Sequence, residues 1–491
     1  MTLSIPKGER NREYKAYLKE VFENVYSTRW KMEDGIMKNN GRICLDYSGI
    51  LKKTIAEEGL SPREIKKYAP AVKKAVEKLT LRRASGSVGF ADLAGDSENA
   101  REIQKYVSSV RGKYEFLVVL GIGGSALGPR ALIDALAPPF YNFRSGSARH
   151  GWLKIIIADN ISPEFIKGLF EVIPLTRTLF NVITKSGSTS ETLSVFSIVR
   201  KKLAKRFGND WKRRIVATTD ADKGFLRDFV WKNSLKAFSI PSNVGGRFSA
   251  LSSVGLFPAA CAGIDIISLL EGASSVDKLC FGSNLFKNPS AMYAALNYIY
   301  YGRGRRINVF MPYHEGLATF SDWFAQLWAE SLGKKENLLG KNVFVGPTPV
   351  KAKGVTDQHS QLQLYTEGPQ DKLITLLSVD KFTSVKIPEI GDFVFSGRDL
   401  RELFRAEEIG TKLSLLEAHR PVLSIKMPEV NAFFLGQLIL MLETATAVYG
   451  EMLGINAFNQ PGVEYGKIIA KKILAGKKVE SAVKGVEKYC V

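Results

Sequence analysis

From residue 115 onward, apolar positions fall into two alternating kinds of stretch. Short runs rich in β-branched and aromatic residues occur at EFLVVLG (115–121), KIIIADN (154–160), LFNVITK (179–185), RRIVATT (213–219) and KAFSIPS (236–242). Longer segments with helical spacing lie between most of them, notably at 188–206. Strands separated by helices predict crossover units, and therefore a parallel sheet with helices on both faces. A helical region follows at 249–303, and the alternation resumes with RRINVFMP (305–312), KNVFVGP (341–347), KLITLLS (372–378) and VLSIKMP (422–428). The pattern predicts an α/β protein with two doubly wound parallel sheets, in domains spanning 111–265 and 266–465. Residues 1–110 are expected to be mainly helical with a loop around 86–93. Residues 466–491 are expected to form a Lys-rich amphipathic helical tail packed across one of the domains.

Ligands of such folds bind beyond the carboxyl ends of the strands. Two loops rich in Gly, Ser and Thr fall there: LGIGGSALGPRAL at 120–132 and VITKSGSTSETL at 182–193. In each, an apolar strand runs into small residues and then at once into a helix. Backbone N–H groups, hydroxyls and the positive end of a helix then converge on one spot, which suits a phosphate. In the second loop Ser188 and Glu191 have the spacing of a capping box, which predicts a helix start near Ser188. Ser186, Thr189 and Thr192 are then expected around its mouth. The first loop also fits a loose dinucleotide fingerprint, Gly121, Gly123 and Ala126. That reading wants an acidic residue about twenty positions further on at a strand end, where this chain has a Pro-Pro-Phe-Tyr stretch. A monophosphorylated small molecule fits better than a nucleotide.

At 491 residues the chain has room for two or three domains, and 45% hydrophobic residues describe an ordinary globular protein. The charged N-terminus shows no apolar segment of a secretory signal. FFLGQLILMLETATAVYG (433–450) is interrupted by Gln437 and Glu443 and is read as a buried core helix, not a membrane span. Cys44, Cys261, Cys280 and Cys490 lack the spacing of a zinc site or a disulfide framework, so the cytoplasm is the expected compartment. The net charge of +20 admits a nucleic-acid reading. Lys and Arg are, however, spread along the chain and interleaved with Glu, as at 62–83. A solvated basic surface that also attracts an anionic substrate accounts for that distribution.

Four further segments hold candidate chemistry. VGGRFSALSSVGL (244–256) places Arg247 after two glycines that allow close approach. In SDWFAQLWAESLGKK (321–335), helical spacing puts Trp323, Gln326 and Glu330 on one face beside Leu327. Apolar neighbours there would push the Glu330 carboxyl upward, toward the range of a general base. GVTDQHSQLQLY carries His359 in a polar loop, and NQPGVEYGK carries Gln460, Glu464 and Lys467. Each has a plain alternative when taken alone: a surface arginine, a solvated glutamate, a solvated histidine and a structural turn.

Taken jointly, and in this order along residues 85–475, IGGSALGP, TKSGSTSET, VGGRFSALSSVG, the Gln326–Glu330–Gly333–Lys334 helix, DQHS and NQPGVEYGK resemble the phosphoglucose isomerase family. The DQHSQLQLY form is similar to its bacterial branch. The resemblance implies two sugar-phosphate-isomerase (SIS) domains and a homodimer with active sites shared between subunits. It also implies interconversion of glucose 6-phosphate and fructose 6-phosphate, in glycolysis and gluconeogenesis, with no cofactor and no metal. By the same resemblance, Glu330 is the base that moves the proton and Arg247 stabilises the enediolate. His359 and Lys467 open the ring, with His359 reaching into the site from the partner chain. Gly124, Ser125, Thr184, Lys185, Ser186 and Thr189 form the phosphate cradle, and Gln326 and Gln460 make further substrate contacts. Thr184 stands where many relatives have serine, and Leu332 where many have asparagine. The alternative is a non-catalytic sugar-phosphate-binding regulator, which need not keep Glu330, Arg247, His359 and Lys467 together. No nucleic-acid or membrane partner is expected.

Overall fold

A computed structural model describes residues 41–476 apart from 392 and 394. The expected helix at the N-terminus and the end of the C-terminal tail, with Cys490, lie outside the described residues. Among these residues the strands are β1 (Cys44–Asp46), β2 (Phe116–Leu120), β3 (Lys154–Ala158), β4 (Thr178–Ile183), β5 (Ile215–Asp220), β6 (Lys236–Ile240), β7 (Ile307–Pro312), β8 (Lys334–Glu336), β9 (Asn342–Val345), β10 (Thr348–Lys351), β11 (Lys372–Val379) and β12 (Val422–Met427). The first sheet has the order β3-β2-β4-β5-β6 and is parallel throughout. β2 reads as an unbroken apolar run, as burial on both faces demands, while β4, β5 and β6 carry Asn181, Thr218 and Ser239 among their apolar residues. The order reverses between β2 and β4, a switch point that opens a crevice at their carboxyl ends. Both Gly/Ser/Thr loops leave the sheet there.

The second sheet has the order β1-β12-β11-β7-β10. It is parallel except at β1, which runs antiparallel to β12. Two of its edges differ from the expectation. The mainly helical leading region also supplies β1, with Cys44 to Asp46 buried against β12. KNVFVGP does not join this sheet. Its residues 342–345 pair antiparallel with β8 in a separate hairpin, and the edge place belongs to β10 immediately afterwards. The side chains of β9 are partly or fully exposed, Phe344 among them, so its apolar content was no guide to burial.

Helices Ser253–Cys261, Ile266–Cys280 and Pro289–Gly302 fill the expected helical region between the sheets. The apolar helix Ala432–Leu453 is buried from Leu435 to Glu451, as a core helix should be. It crosses Ile266–Cys280 at backbone contact. A Cβ on Gly272 would lie 1.8 Å from the Phe433 carbonyl oxygen, and one on Gly436 1.9 Å from that of Leu269. Only glycine permits that approach. One contiguous core then runs from the first sheet through these helices to the second. This joins the sheets so that helix Ala318–Leu332, which follows β7, packs along helix Gly124–Leu136, which follows β2.

Candidate active site

The hydroxyl-rich loop after β4 closes on itself. Thr184, buried at the strand end, has its Oγ1 2.8 Å from Thr189 Oγ1 and 3.4 Å from Ser186 Oγ. Ser186 Oγ also lies 3.4 Å from Thr189 Oγ1 and accepts from the Ser188 backbone N–H at 3.3 Å. Gly187 holds a positive φ of 65° and packs its Cα face on the Gly224–Leu226 backbone. The helix here begins at Ser190, two residues beyond Ser188, and the expected capping box is absent. Thr189 is the N-cap residue, and its side chain makes no capping bond. Its hydroxyl is drawn into the ring with Thr184 and Ser186 instead, which leaves the first helical N–H groups facing the loop without a side-chain acceptor. Thr192 is not part of this ring. It is buried beside Leu120, Gly121 and Ala158. Lys185 donates from Nζ to the Ser242 carbonyl at 2.7 Å, and burial lowers its pKa while Asp220 works against that fall.

The loop after β2 is held by backbone proximity. Gly123 takes a φ of 58°, and a Cβ there would stand 3.0 Å from Gln326 Nε2. A Cβ on Gly124 would lie 2.3 Å from the Gly246 carbonyl. The glycines of this loop thus let the chain touch both the turn that carries Arg247 and the helix that carries Gln326. Ser125 occupies the first turn of helix Gly124–Leu136 and is half-buried.

Arg247 is the centre of the constellation. It sits in a short turn, Gly246–Phe248, beyond the end of β6 and is only 3% exposed. Nε donates to Ser331 Oγ (2.7 Å). Nη1 donates to Glu330 Oε2 (3.2 Å) and Gln460 Oε1 (2.9 Å). Nη2 donates to the carbonyls of Ala457 (2.5 Å) and Asn459 (3.2 Å). All five guanidinium N–H groups are occupied, so the fork cannot turn. Burial pulls the pKa of this cation down and Glu330 pushes it back. Gln326, one helical turn before Glu330, donates to Glu330 Oε1 at 3.1 Å, and its own Oε1 is buried without a partner. The carboxylate is therefore not set among apolar neighbours as its helix face predicts. Trp323 and Leu327 turn into the core, while Glu330 lies between a guanidinium and an amide with a third of its side chain open to solvent. It is oriented and accessible at once.

Two expected members stand apart from this knot. His359 lies exposed just after the turn Thr356–Gln358, and its side chain makes no hydrogen bond among the described residues. Asp357 shapes its loop by accepting from the Lys353 backbone N–H (2.7 Å) and from Ser360 (2.5 Å). Lys467 is exposed and paired with Glu464 one turn earlier at 2.9 Å. The helix that bears it, Glu464–Leu474, has no buried residue, so the described part of the tail is not packed across a domain as expected. Its apolar side chains Tyr465, Ile468, Ile473 and Leu474 face outward.

Sequence reasoning missed the groups that hold Arg247 from behind. Ser331 was visible only as the neighbour of Glu330, and the carbonyls of Ala457 and Asn459 belong to the main chain, which no residue type advertises. The close spacing of Asn459 and Gln460 after a helix end was the one available signal.

The sequence model of phosphoglucose isomerase matches residues 101–488. A glucose-6-phosphate isomerase of Carboxydothermus hydrogenoformans is 44% identical over 86% of this chain and 92% of its own. A probable glucose-6-phosphate isomerase of Methanococcus maripaludis is 39% identical over 92% of this chain and 99% of its own. Among solved structures, a Thermus thermophilus protein described as hypothetical superposes with a TM-score of 0.80 at 37% identity, covering 88% of this chain and all of that one.

Proposed function

The chain belongs to the phosphoglucose isomerase family, and on that footing we propose how its residues interconvert glucose 6-phosphate and fructose 6-phosphate. The reaction moves a carbonyl between sugar carbons 1 and 2. A proton is removed next to the carbonyl and returned one carbon away, so one carboxylate on one face of a planar cis-enediol serves both steps. Glu330 is that base. The observation that carries the assignment is the Arg247 knot: a fixed, buried cation touches Glu330 and Gln460 directly, and Gln326 joins it through Glu330. Negative charge developing on the enediolate oxygens meets a dipole arrangement that need not reorganise, an effect worth ~3–4 kcal/mol for one such donor.

The ring of Thr184, Ser186 and Thr189, with Ser125, Gly124 and Lys185, takes the phosphate. Binding energy from this remote group holds the reacting carbons against Glu330. Gln326, whose Nε2 donates to Glu330 Oε1, makes a further contact with the sugar. His359 and Lys467 open the ring, and they do so across a two-fold dimer in which His359 enters the partner's site. The exposure of His359 and the uncovered apolar side of helix Glu464–Leu474 support that assembly. The unbridged buried thiols of Cys261 and Cys280 are in keeping with a cytoplasmic protein. A non-catalytic regulator would have no use for an oriented carboxylate against a buried guanidinium.

The decisive experiment is isomerisation in deuterated water. Transfer by one carboxylate puts solvent deuterium on carbon 1 of fructose 6-phosphate formed from glucose 6-phosphate, and the Glu330→Gln protein puts none there. Turnover without any exchange into product, over a wide range of conditions, would count against a proton-transfer base and for hydride migration.

A further inference from the structure

The helix that carries Glu330 ends at Leu332, and the last four carbonyls of any α-helix lack an intrahelical partner. Here the carbonyls of Glu330 and Ser331 are taken by one side chain that lies beyond the helix. Lys334 folds back and donates from Nζ to Glu330 O, and to Ser331 O at 3.0 Å. It is 8% exposed, an unusual place for a lysine. The chain around it is pinned from the other side. Lys334 opens β8 and pairs with Val345, and a Cβ on Gly346 would lie 2.6 Å from the Gly333 Cα, so the two glycine backbones touch. Ser331, whose carbonyl Lys334 holds, uses its hydroxyl to accept from Arg247 Nε. One ammonium thereby ties down both the residue that bears the carboxylate and the residue that steadies the guanidinium.

We propose that Lys334 is a positioning residue for the isomerisation: by capping the carbonyls of Glu330 and Ser331 as an ammonium, it fixes the helix end that aims Glu330 and registers Arg247. This rests on Glu330 being the base. Lys334 touches no substrate and acts through its neighbours. The electrostatics explain why the group is sensitive. A cation at a helix C-terminus is favourable, yet burial and the like charge of Arg247 lower the Lys334 pKa to about 8, with Glu330 opposing them. Those two are the titratable groups acting on it, Arg247 from the turn after β6 and Glu330 from its own helix, while Val345 and Gly346 on the β9 side carry no charge. The cap is therefore charged at neutral pH and loses its proton in mildly alkaline solution.

The test compares kcat and KM of wild type, Lys334→Met, Lys334→Arg and Glu330→Gln over about two pH units on either side of neutrality and upward into the alkaline range. Lys334→Met is expected to lose about ten- to a hundredfold in kcat, the scale of a small misplacement of the reacting groups, with KM changed less than about threefold. The wild-type kcat profile should fall on the alkaline side with a midpoint near pH 8, and this limb should be absent in Lys334→Met and displaced upward in Lys334→Arg. A Lys334→Met enzyme with kcat within about twofold of wild type and the same alkaline limb overturns the proposal. Should that variant fail to fold, the arginine variant and the wild-type profile decide: no alkaline limb in wild type, or one unmoved in Lys334→Arg, overturns it equally. Glu330→Gln separates the two readings. If it stays active, the base assignment has failed; if it is dead while Lys334→Met is untouched, only the role of Lys334 has failed.

Discussion

The Arg247–Glu330 knot and the His359–Lys467 pair are built in opposite ways. Arg247 is buried, reaches its partners from the first sheet's last loop and is held by five hydrogen bonds to groups on the second half of the chain. His359 and Lys467 are exposed, and among the described residues their only side-chain bond is that of Lys467 to its own helix neighbour. The first region is complete within one folded chain. The second contributes groups but no fixed relation to Glu330. In the proposed mechanism this separates the step that needs preorganisation, stabilising an enediolate, from ring opening, which a general acid or base arriving from a second chain performs.

The sharpest way to break the comparison is to disarm the knot. Glu330→Gln keeps its shape and its bond to Gln326 but cannot take a proton, and kcat should fall about 10²–10⁴-fold with substrate affinity nearly intact. Retention of more than about a tenth of wild-type turnover, a loss under ~1.4 kcal/mol in barrier, points to another base. Arg247→Ala comes next. It should cost about 10²–10³ in kcat, and ~1–3 kcal/mol in unfolding free energy by denaturant titration, because the carbonyls of Ala457 and Asn459 lose their donor. A variant with full stability and low activity would mean that Arg247 serves only the chemistry, and that the knot is not structural.

Two smaller effects sharpen it. Ser186→Ala combined with Thr189→Ala should raise KM by about a hundredfold or more and lower kcat less, since each bond to a charged group is worth ~1.5–3 kcal/mol and much of it is felt equally in ground and transition states. An unchanged KM moves the phosphate toward Ser125. The smallest signal comes from mixing subunits. In the proposed dimer, Glu330→Gln and His359→Ala should each impair the enzyme, while an equal co-refolded mixture should regain roughly a quarter of wild-type activity, because half the dimers would be mixed and each would have one intact site. A mixture no more active than the mean of its parents, with subunit exchange verified, places both residues on one chain.

Much of the fold was legible along the chain. The strands of the first sheet announce themselves as short, largely apolar runs and the buried helix Ala432–Leu453 as a long one broken by Gln437 and Glu443, a pattern that fits burial on both faces. The errors share one cause. KNVFVGP is more apolar than its neighbour β10, yet β10 holds the sheet edge and KNVFVGP pairs with β8, so apolar content did not decide the pairing. Likewise Thr189 has equal local reasons to cap a helix or to join Thr184 and Ser186, and the loop's closure on Gly224 chose the second.

What the sequence determined by itself was the inventory: two phosphate-ready loops at strand ends, a glycine-led arginine, and a glutamate one helical turn from a glutamine. Local periodicity and local hydrogen bonding fix such features within a few residues. Only tertiary structure decided that Gly124 meets Gly246, that Ser331 and the carbonyls of Ala457 and Asn459 receive Arg247, and that Lys334 closes the helix end from behind. The contacts of Gly124 and Arg247 join segments far apart in the chain, and the Lys334 cap, although only three and four residues from its partners, ends on main-chain carbonyls. Backbone atoms that every residue possesses carry many of these contacts, so no pattern of side chains announces them. They exist because one core runs through both sheets and packs helix Ala318–Leu332 along helix Gly124–Leu136.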